Sequence, residues 1–304
     1  MKALVTGGAG FIGSHLVERL VKEGVSVRVV DNFSTGKREN LAALAGKVDI
    51  VEADVRDAWQ VKELAAGCDV IFHEAAIVSV PYSVEHPQET HDVNLQGTLN
   101  LLEAARHAKT RRLVFASSAA VYGDAPGLPK HEGMLPTPIA PYGLEKLTSE
   151  HYLSIFARLY GVETVSLRYF NVFGPRQDPT SAYSGVISIF ADRARRGEPV
   201  TIFGDGTAYR DFVYVDDVVE ANILAARAPG VSGRAFNVGR GERTTLHDLV
   251  KMIGRVFGRD LEVKHAPVRA GDIAESLADI SLARKDLGYA PKVPVEEGLR
   301  RLLA

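Results

Sequence analysis

Three side chains have the types and spacing needed to move a proton at an alcohol. Tyr142 and Lys146 are four residues apart in a segment with helical periodicity, which places them one turn apart on one helix face. An ammonium group near a phenol stabilises the phenolate and lowers the phenol pKa from about 10 toward neutrality. Ser118 ends a preceding apolar run and can position a substrate oxygen. Together the three residues predict general acid–base catalysis at a hydroxyl group.

A glycine-rich turn near the N-terminus supplies the complementary redox chemistry. Gly7, Gly10 and Gly13 stand between a short apolar run and a helical segment. Glycines at this spacing let a ligand approach the main chain, and the helix N-terminus favours a pyrophosphate. A second apolar run ends at Asp31, whose carboxylate can accept both ribose hydroxyls of an adenosine and would repel a 2′-phosphate. The pattern predicts a dinucleotide site that prefers NAD to NADP.

The elements that must hold these residues alternate between strands and helices in the first half of the chain. Strands are predicted at Ala3–Thr6, Val25–Val30, Val48–Glu52, Val70–His73, Leu113–Ser117 and Thr164–Tyr169. Helices are predicted at Phe11–Lys22, Trp59–Ala66, Val93–Ala108 and Tyr142–Tyr160. This alternation predicts an α/β fold with a Rossmann-type, doubly wound parallel sheet, in which ligands bind beyond the carboxyl ends of the strands. The candidate residues at those ends are Thr6, Asp31, Asp54, Glu74, Ala75, Ala76, Ser117, Ser118 and Tyr169–Asn171.

The sequence pattern changes after about Asn171, where proline and glycine residues separate shorter predicted elements. Further helices are predicted at Ile187–Arg196, Asp216–Arg227, Thr245–Phe257 and Ile280–Leu287. We therefore expect a dinucleotide-binding domain over residues 1–171 and a smaller α/β substrate lobe over residues 172–304. One segment of that second part could return to the sheet of the first. The two lobes are expected to share a cleft.

The composition excludes several classes of partner. The chain has 304 residues, 46% hydrophobic and 24% charged, with a formal net charge of −2, so no field favours nucleic acid or an acidic membrane surface. Cys68 is the single cysteine, which suits a reducing compartment, and the nine histidines have no partner at zinc spacing. The sequence contains no signal peptide and no apolar run of membrane-spanning length. These features predict a cytoplasmic protein without a metal.

Four motifs, in order along the chain, resemble those of the extended short-chain dehydrogenase/reductases, and above all the UDP-glucose (UDP-galactose) 4-epimerases. They are Gly7-Gly8-Ala9-Gly10-Phe11-Ile12-Gly13-Ser14-His15, Ser117-Ser118-Ala119-Ala120-Val121-Tyr122-Gly123, Pro141-Tyr142-Gly143-Leu144-Glu145-Lys146 and Leu167-Arg168-Tyr169-Phe170-Asn171-Val172-Phe173-Gly174-Pro175. The resemblance runs nearly from end to end. It implies NAD as cofactor, a UDP-hexose as substrate and a homodimer formed through the Val93–Ala108 and Tyr142–Tyr160 helices.

The resemblance also implies a role for individual positions. Ser118, Tyr142 and Lys146 match the catalytic residues. The positions matching cofactor contacts are Gly7, Gly10, Phe11, Ile12, Gly13, Asp31, Asn32, Asp54, Val55, Ala75, Ala76, Asn94, Tyr142, Lys146 and Tyr169. The positions matching substrate contacts are Ser118, Asn171, Val186, Arg210, Arg269 and Asp272. Among these positions, Arg210 and Arg269 also suit a diphosphate on chemical grounds alone, because a planar guanidinium group can pair with two phosphate oxygens.

The implied reaction oxidises the sugar at C4 and reduces the 4-keto sugar on its opposite face, without net redox change. A sugar 4,6-dehydratase begins with the same oxidation but needs a further acid and base after the serine, where this chain has Ala119 and Ala120. The alternatives that remain are another nucleotide-sugar enzyme of this type, either a UDP-glucuronate epimerase or decarboxylase or the 4,6-dehydratase, and a non-catalytic NAD-sensing protein.

Substrate breadth depends on smaller features. The Ser79-Val80-Pro81-Tyr82-Ser83 segment resembles that of epimerases acting on N-acetylhexosamines, and the small Ser276 would leave room for a 2-acetamido group. Glu74 departs from the family pattern, because a carboxylate beside the cofactor path needs a partner when it is buried.

Overall fold

The computed structural model describes residues 1–178, 185–268 and 275–303, and a parallel sheet forms its centre. The strands are β1 (Lys2–Thr6), β2 (Ser26–Asp31), β3 (Asp49–Glu52), β4 (Val70–His73), β5 (Arg112–Ser118), β6 (Glu163–Tyr169), β7 (Asn171–Phe173), β8 (Val200–Phe203), β9 (Tyr209–Arg210), β10 (Phe212–Tyr214), β11 (Arg234–Val238), β12 (Thr244–Thr245) and β13 (Val263–Ala266). Seven of them pair in the order β11-β6-β5-β4-β1-β2-β3, all parallel. The predicted doubly wound sheet is confirmed.

The described residues form eleven α-helices, some of which cover both faces of this sheet. They are α1 (Phe11–Lys22), α2 (Ala58–Ala65), α3 (Val80–Glu85), α4 (Pro87–His91), α5 (Gly97–Ala108), α6 (Pro141–Tyr160), α7 (Val186–Arg196), α8 (Val215–Arg227), α9 (Leu246–Phe257), α10 (Ser281–Leu287) and α11 (Val295–Leu303). Short 3-10 turns occur at Arg38–Leu44 and Ala119–Tyr122, and a π-helical turn at Asp92–Gln96 leads into α5. No helix in these described ranges is long and apolar enough to cross a membrane.

Burial on both faces explains why the central strands are continuously apolar. One buried cluster joins the sheet to α1 and α8 through side chains such as Leu16 and Val218. A second joins the other face to α2, α5 and α6 through residues such as Val61, Leu101 and Leu153. The sheet is therefore a fixed platform for the residues at its carboxyl edge.

Most predicted elements have the observed bounds within one or two residues. The largest difference is at the helix predicted for Val93–Ala108, whose first turn is π-helical and whose regular part begins at Gly97. The Asn94 side chain explains the change locally, because its amide is bonded to Ile77 and Glu145 and anchors this turn to neighbouring segments.

The second lobe has its own apolar cluster, which includes Phe173, Ile187 and Leu249. β7 pairs with β10, β9 with β12, and β8 with β13, and these short pairs hold α7, α9 and α11 together. The strand β11 follows most of these elements in the chain, yet it pairs with β6 in the central sheet. The division of the chain at residue 171 stays a prediction.

Candidate active site

The glycine turn packs directly against the segment that follows β4. Gly7 has φ of +67°, and a Cβ added there would lie 2.7 Å from the backbone nitrogen of Ala75. A Cβ on Gly13 would lie 2.2 Å from the Gly7 carbonyl oxygen. Gly10 precedes α1 as its N-terminal cap residue, and Phe11 and Ile12 form the first, half-buried residues of that helix. The N-terminus of α1 therefore faces the carboxyl edge of the sheet, where backbone N–H groups favour a phosphate.

Asp31 ends β2 beside this turn. Its two carboxylate oxygens accept hydrogen bonds from the backbone nitrogens of Ala9 (2.9 Å) and Phe33 (2.8 Å). The carboxylate thus braces the turn, and its remaining lone pairs suit the ribose hydroxyls of an adenosine.

Asn32, Asp54 and Val55 lie next to Asp31 at the ends of β2 and β3. The Asn32 amide donates to Asp54 Oδ2 at 3.0 Å, and Asp54 also accepts a paired hydrogen bond from Arg56. That guanidinium holds the pKa of Asp54 well below its usual value. Val55 is buried against Gly97 of α5, so it forms an apolar floor for this end of the site.

Ser118, Tyr142 and Lys146 come together at the opposite part of the same edge. Ser118 ends β5, and its hydroxyl forms a hydrogen bond with the Tyr142 phenol. Lys146 Nζ lies 5.8 Å from the centre of the Tyr142 ring, as the four-residue spacing predicts. Tyr142 is 8% exposed and Lys146 3% exposed, so both groups act in a largely dehydrated environment.

The backbone and a neighbouring helix fix these side chains. Lys146 Nζ donates to the Ala116 carbonyl of β5 at 2.7 Å and lies 4.7 Å from the centre of the Phe115 ring. The Tyr142 backbone nitrogen donates to Ser83 Oγ of α3 at 3.2 Å. Ser83 is a positioning residue that sequence reasoning missed, although the segment that contains it was noted for its resemblance to other epimerases.

The electrostatics of the site differ from the expectation in one respect. We expected Lys146 to lower the Tyr142 pKa toward neutrality, but burial raises the pKa of Tyr142 above its usual value. The hydrogen bond from Ser118 opposes this rise, and the charge of Glu145 adds to it. The physical reason is that the Lys146 ammonium is turned to the Ala116 carbonyl, so desolvation of the phenol outweighs its influence.

Four further predicted cofactor contacts lie between the end of β4 and the end of β6. Ala75 and Ala76 are half-buried directly after β4, against the glycine turn. The Tyr169 hydroxyl donates to Glu74 Oε1 at 2.9 Å and accepts from Asn222 Nδ2 at 2.7 Å. The Asn94 amide is committed to Ile77 and to Glu145, so its role here is to hold the segment after Ala76 against α6.

The predicted substrate contacts lie partly together. Asn171 is exposed at the start of β7, and its backbone nitrogen donates to the Asp211 carbonyl next to Arg210. Arg210 is half-buried in β9, and Val186 begins α7. Arg269 and Asp272 lie outside the described residues.

The residues at the carboxyl edge fit NAD. The glycine turn leaves no room for a side chain. Asp31 lies at the end of the site that suits the adenosine, and Tyr142 and Lys146 lie at the opposite end. Within the described ranges no three His, Cys, Asp or Glu residues are grouped so that they could hold a metal ion.

Comparison with known proteins agrees with this geometry. Residues 3–239 match the model of the NAD dependent epimerase/dehydratase family. A UDP-glucose 4-epimerase from Thermotoga maritima, solved with UDP-glucose, is 42% identical, with a TM-score of 0.94 over 100% of this chain and 97% of that one. A UDP-N-acetylglucosamine 4-epimerase from Methanobrevibacter ruminantium M1, in complex with UDP-N-acetylmuramic acid, is 39% identical, with a TM-score of 0.95 over 99% and 96%.

A third structure contains the cofactor. The UDP-glucose 4-epimerase of Thermus thermophilus, in complex with NAD, is 43% identical and has a TM-score of 0.89 over 100% of this chain and 98% of that one. The family match spans most of the chain, and the identities extend over its whole length. This chain belongs to the NAD-dependent epimerase/dehydratase family of extended short-chain dehydrogenases/reductases, and its cofactor is NAD.

Proposed function

We propose that the protein inverts the C4 hydroxyl of a UDP-hexose and interconverts UDP-glucose and UDP-galactose. The observation that carries the proposal is the buried Tyr142 phenol, hydrogen-bonded to Ser118 and adjacent to Lys146, at the sheet edge that also holds the glycine turn. NAD, when bound, would accept a hydride from C4 and return it. Tyr142 removes the proton of the C4 hydroxyl as a phenolate and gives it back, while Ser118 orients that oxygen. The positive charges of Lys146 and of the nicotinamide ring would favour the phenolate and oppose the effect of burial on the Tyr142 pKa.

The segment after Ser118 argues against a dehydratase. Ala119 and Ala120 begin the 3-10 turn that follows β5, and their methyl groups cannot transfer a proton. Loss of water across C5–C6 needs a second acid and base, so oxidation at C4 in this site leads back to a hexose.

The residues proposed to bind the nucleotide part of the substrate belong to the second lobe. We infer that Arg210, with Arg269, binds the diphosphate of the UDP group, since guanidinium forks pair with phosphate oxygens. Asn171, Val186 and Asp272 are the further proposed substrate contacts. Held by its nucleotide, the sugar can turn in the pocket and present either face of C4 to the cofactor.

We expect two pairs of sugars to be interconverted, UDP-glucose with UDP-galactose and UDP-N-acetylglucosamine with UDP-N-acetylgalactosamine. Ser276 is half-buried, with its backbone bonded to Tyr209 beside Arg210, and its small side chain leaves room for a 2-acetamido group. Each UDP-sugar is incubated with the purified protein without added reductant, and product is followed by proton NMR of the anomeric signal.

The same experiment has decisive negative outcomes. Activity on the glucose pair alone would reject the broader specificity. Activity on neither pair, with conversion of UDP-glucuronate instead, would replace the proposed substrate. The nucleotides released by denaturing the protein provide an independent check, since NAD and a UDP-sugar are expected there.

We also propose that the protein is a homodimer formed through α5 and α6. Leu144, Tyr152, Ile155 and Leu159 follow the outer face of α6 and are 36–63% exposed. Their spacing makes one apolar stripe along the helix, a feature typical of an interface between copies.

Leu159→Glu should convert the dimer to a monomer, because a buried unpaired carboxylate costs several kcal/mol. Sedimentation velocity measures the change, and circular dichroism checks that the fold persists. Trp59→Glu is the matched control, since Trp59 is 74% exposed on α2, outside the two helices proposed for the interface, and should leave the dimer intact. A Leu159→Glu protein that sediments like the parent would refute this interface.

A further inference from the structure

Asp211 is a fully buried carboxylate for which the proposed mechanism has no role. It lies between β9 and β10, directly after Arg210, and it is 0% exposed. Its Oδ1 accepts a hydrogen bond from the backbone nitrogen of Arg240 at 2.7 Å, and its Oδ2 accepts from those of Gly241 at 2.9 Å and Ala278 at 3.1 Å. One side chain therefore joins the end of β9 to two segments that are distant in the chain.

These three hydrogen bonds require a charged acceptor. The Arg240 guanidinium is turned to Glu242 and to the Val293 carbonyl, so backbone N–H groups are the hydrogen-bond donors that face the carboxylate. Burial raises the pKa of Asp211 to about 6, and the N–H groups oppose that rise, so the group is ionised above that pH. An ionised carboxyl can accept all three bonds, whereas a neutral amide would turn its NH2 group toward at least one N–H donor.

The packing around the carboxylate leaves it no room to shift. A Cβ added to Gly239 would lie 2.8 Å from Asp211 Oδ2 and 2.9 Å from the Cβ of Ala278. The Gly239 carbonyl in turn accepts a hydrogen bond from the buried Tyr289 hydroxyl at 2.9 Å. Gly239 directly follows β11, so the carboxylate is held against a strand of the central sheet.

The segment that Asp211 holds at Ala278 also contains Ser276. The Ser276 backbone nitrogen donates to the Tyr209 carbonyl at 3.1 Å, so this segment runs beside β9. Its two anchors on that side are the Tyr209 carbonyl and the Asp211 carboxylate, which lie one residue before and one residue after Arg210. The position of the segment relative to Arg210 therefore depends on the carboxylate.

We propose that Asp211 is a positioning residue for the substrate, whose carboxylate holds the segment carrying Ser276 against the strand carrying Arg210 and so keeps the UDP-sugar site preformed. A preformed site binds more tightly, because less ordering has to accompany binding. The inference rests on the proposed function for the identity of the ligand. The contacts of the carboxylate concern only this chain, and they can be followed without turnover.

Asp211→Asn tests the proposal, because it keeps the size of the side chain and removes its charge. We expect the dissociation constant of UDP to rise about tenfold, since at least one buried N–H group loses its acceptor. The constant is measured by isothermal titration calorimetry on the NAD-loaded protein at mildly alkaline pH. In turnover, the KM for UDP-glucose should rise by a similar factor, while kcat and the amount of bound NAD stay near their parental values.

Asp217→Asn is the matched control. Asp217 is 4% exposed near the start of α8, and it accepts backbone hydrogen bonds from Lys292 at 2.7 Å and Val293 at 3.1 Å. The same chemical change there affects a segment that carries no proposed substrate contact. It should lower stability to thermal unfolding as Asp211→Asn does, but leave the affinity for UDP unchanged.

Hydrogen exchange followed by mass spectrometry gives a readout that does not depend on turnover. In Asp211→Asn, peptides covering residues 239–241 and 275–278 should exchange faster, and those covering 291–293 should not. Binding and local order are linked reciprocally, so UDP bound to the parent protein should slow exchange in the first two regions. This measurement on the parent keeps the test informative if Asp211→Asn folds poorly.

The outcomes separate this role from the proposed function. A UDP affinity that is unchanged in Asp211→Asn, or lowered equally in Asp217→Asn, would overturn the positioning role even if the protein is an active epimerase. Exchange at 239–241 and 275–278 that bound UDP does not slow would overturn it as well. Selectively faster exchange in Asp211→Asn, for a protein whose parent neither binds UDP nor converts a UDP-sugar, would support the tie between the segments and reject the proposed function instead.

Discussion

Tyr142→Phe should lower kcat by about three orders of magnitude, because it removes the group that takes and returns the C4 proton. The ring remains, so its contact with the Lys146 ammonium is preserved. Binding of UDP-glucose should therefore change little. Turnover is measured by NMR with UDP-glucose, and affinity by isothermal titration calorimetry.

Tyr160→Phe is the control for this substitution. Tyr160 ends the same helix, α6, and is 45% exposed, so loss of its hydroxyl should alter neither turnover nor affinity. Parental turnover in Tyr142→Phe would defeat the assignment of the proton-transfer group. Loss of UDP-glucose affinity together with turnover would show that the phenol contributes mainly to binding.

Gly13→Ala should abolish retention of NAD. The new Cβ would lie 2.2 Å from the Gly7 carbonyl oxygen and 2.9 Å from Gly8 Cα, and both are backbone atoms that cannot rotate away. The turn must open, which we expect to cost about 1–3 kcal/mol of stability and to spoil the pyrophosphate site. Nucleotide released from the denatured protein is quantified by chromatography, and stability by thermal unfolding.

Gly24→Ala separates local strain from loss of the site. Gly24 follows α1 with φ of +76°, and no heavy atom lies within 4 Å of an added Cβ. Its substitution should cost about 1 kcal/mol through backbone strain alone and leave bound NAD at the parental level. A Gly13→Ala protein that retains as much NAD as Gly24→Ala would contradict the role given to the turn.

The central sheet could be predicted from the sequence because its strands and helices carry strong local patterns. Strands buried on both faces are continuously apolar, as in Ala3–Val5, and the long helices have clear periodicity and end at residues such as Gly161. The short elements α3, α4, β9 and β12 carry too few residues for a pattern. The position of β11 in the central sheet is set by its pairing with β6. The two strands are about seventy residues apart in the chain, so no local sequence pattern could predict this pairing.

The candidate site divides in the same way. The glycine turn, Asp31 and the Tyr142–Lys146 pair are adjacent in sequence or follow predicted strands, so spacing was enough to identify them. The contact of Glu74 with Tyr169 joins residues 95 positions apart. Likewise, the Tyr142 pKa depends on how deeply the folded chain buries the phenol, which spacing cannot show.

The pairing of β11 with β6 affects how such a protein can change its specificity over evolution. A gene fragment that ends at Asn171 would encode a sheet in which β6 is an exposed edge strand. Its unpaired backbone groups could then pair with other molecules. The second lobe could therefore not be replaced by recombination at one breakpoint, since α8 and β11 would have to be left behind with the sheet. New substrates are therefore more readily reached by point changes at the proposed substrate contacts, such as Arg210, than by exchange of the whole second lobe.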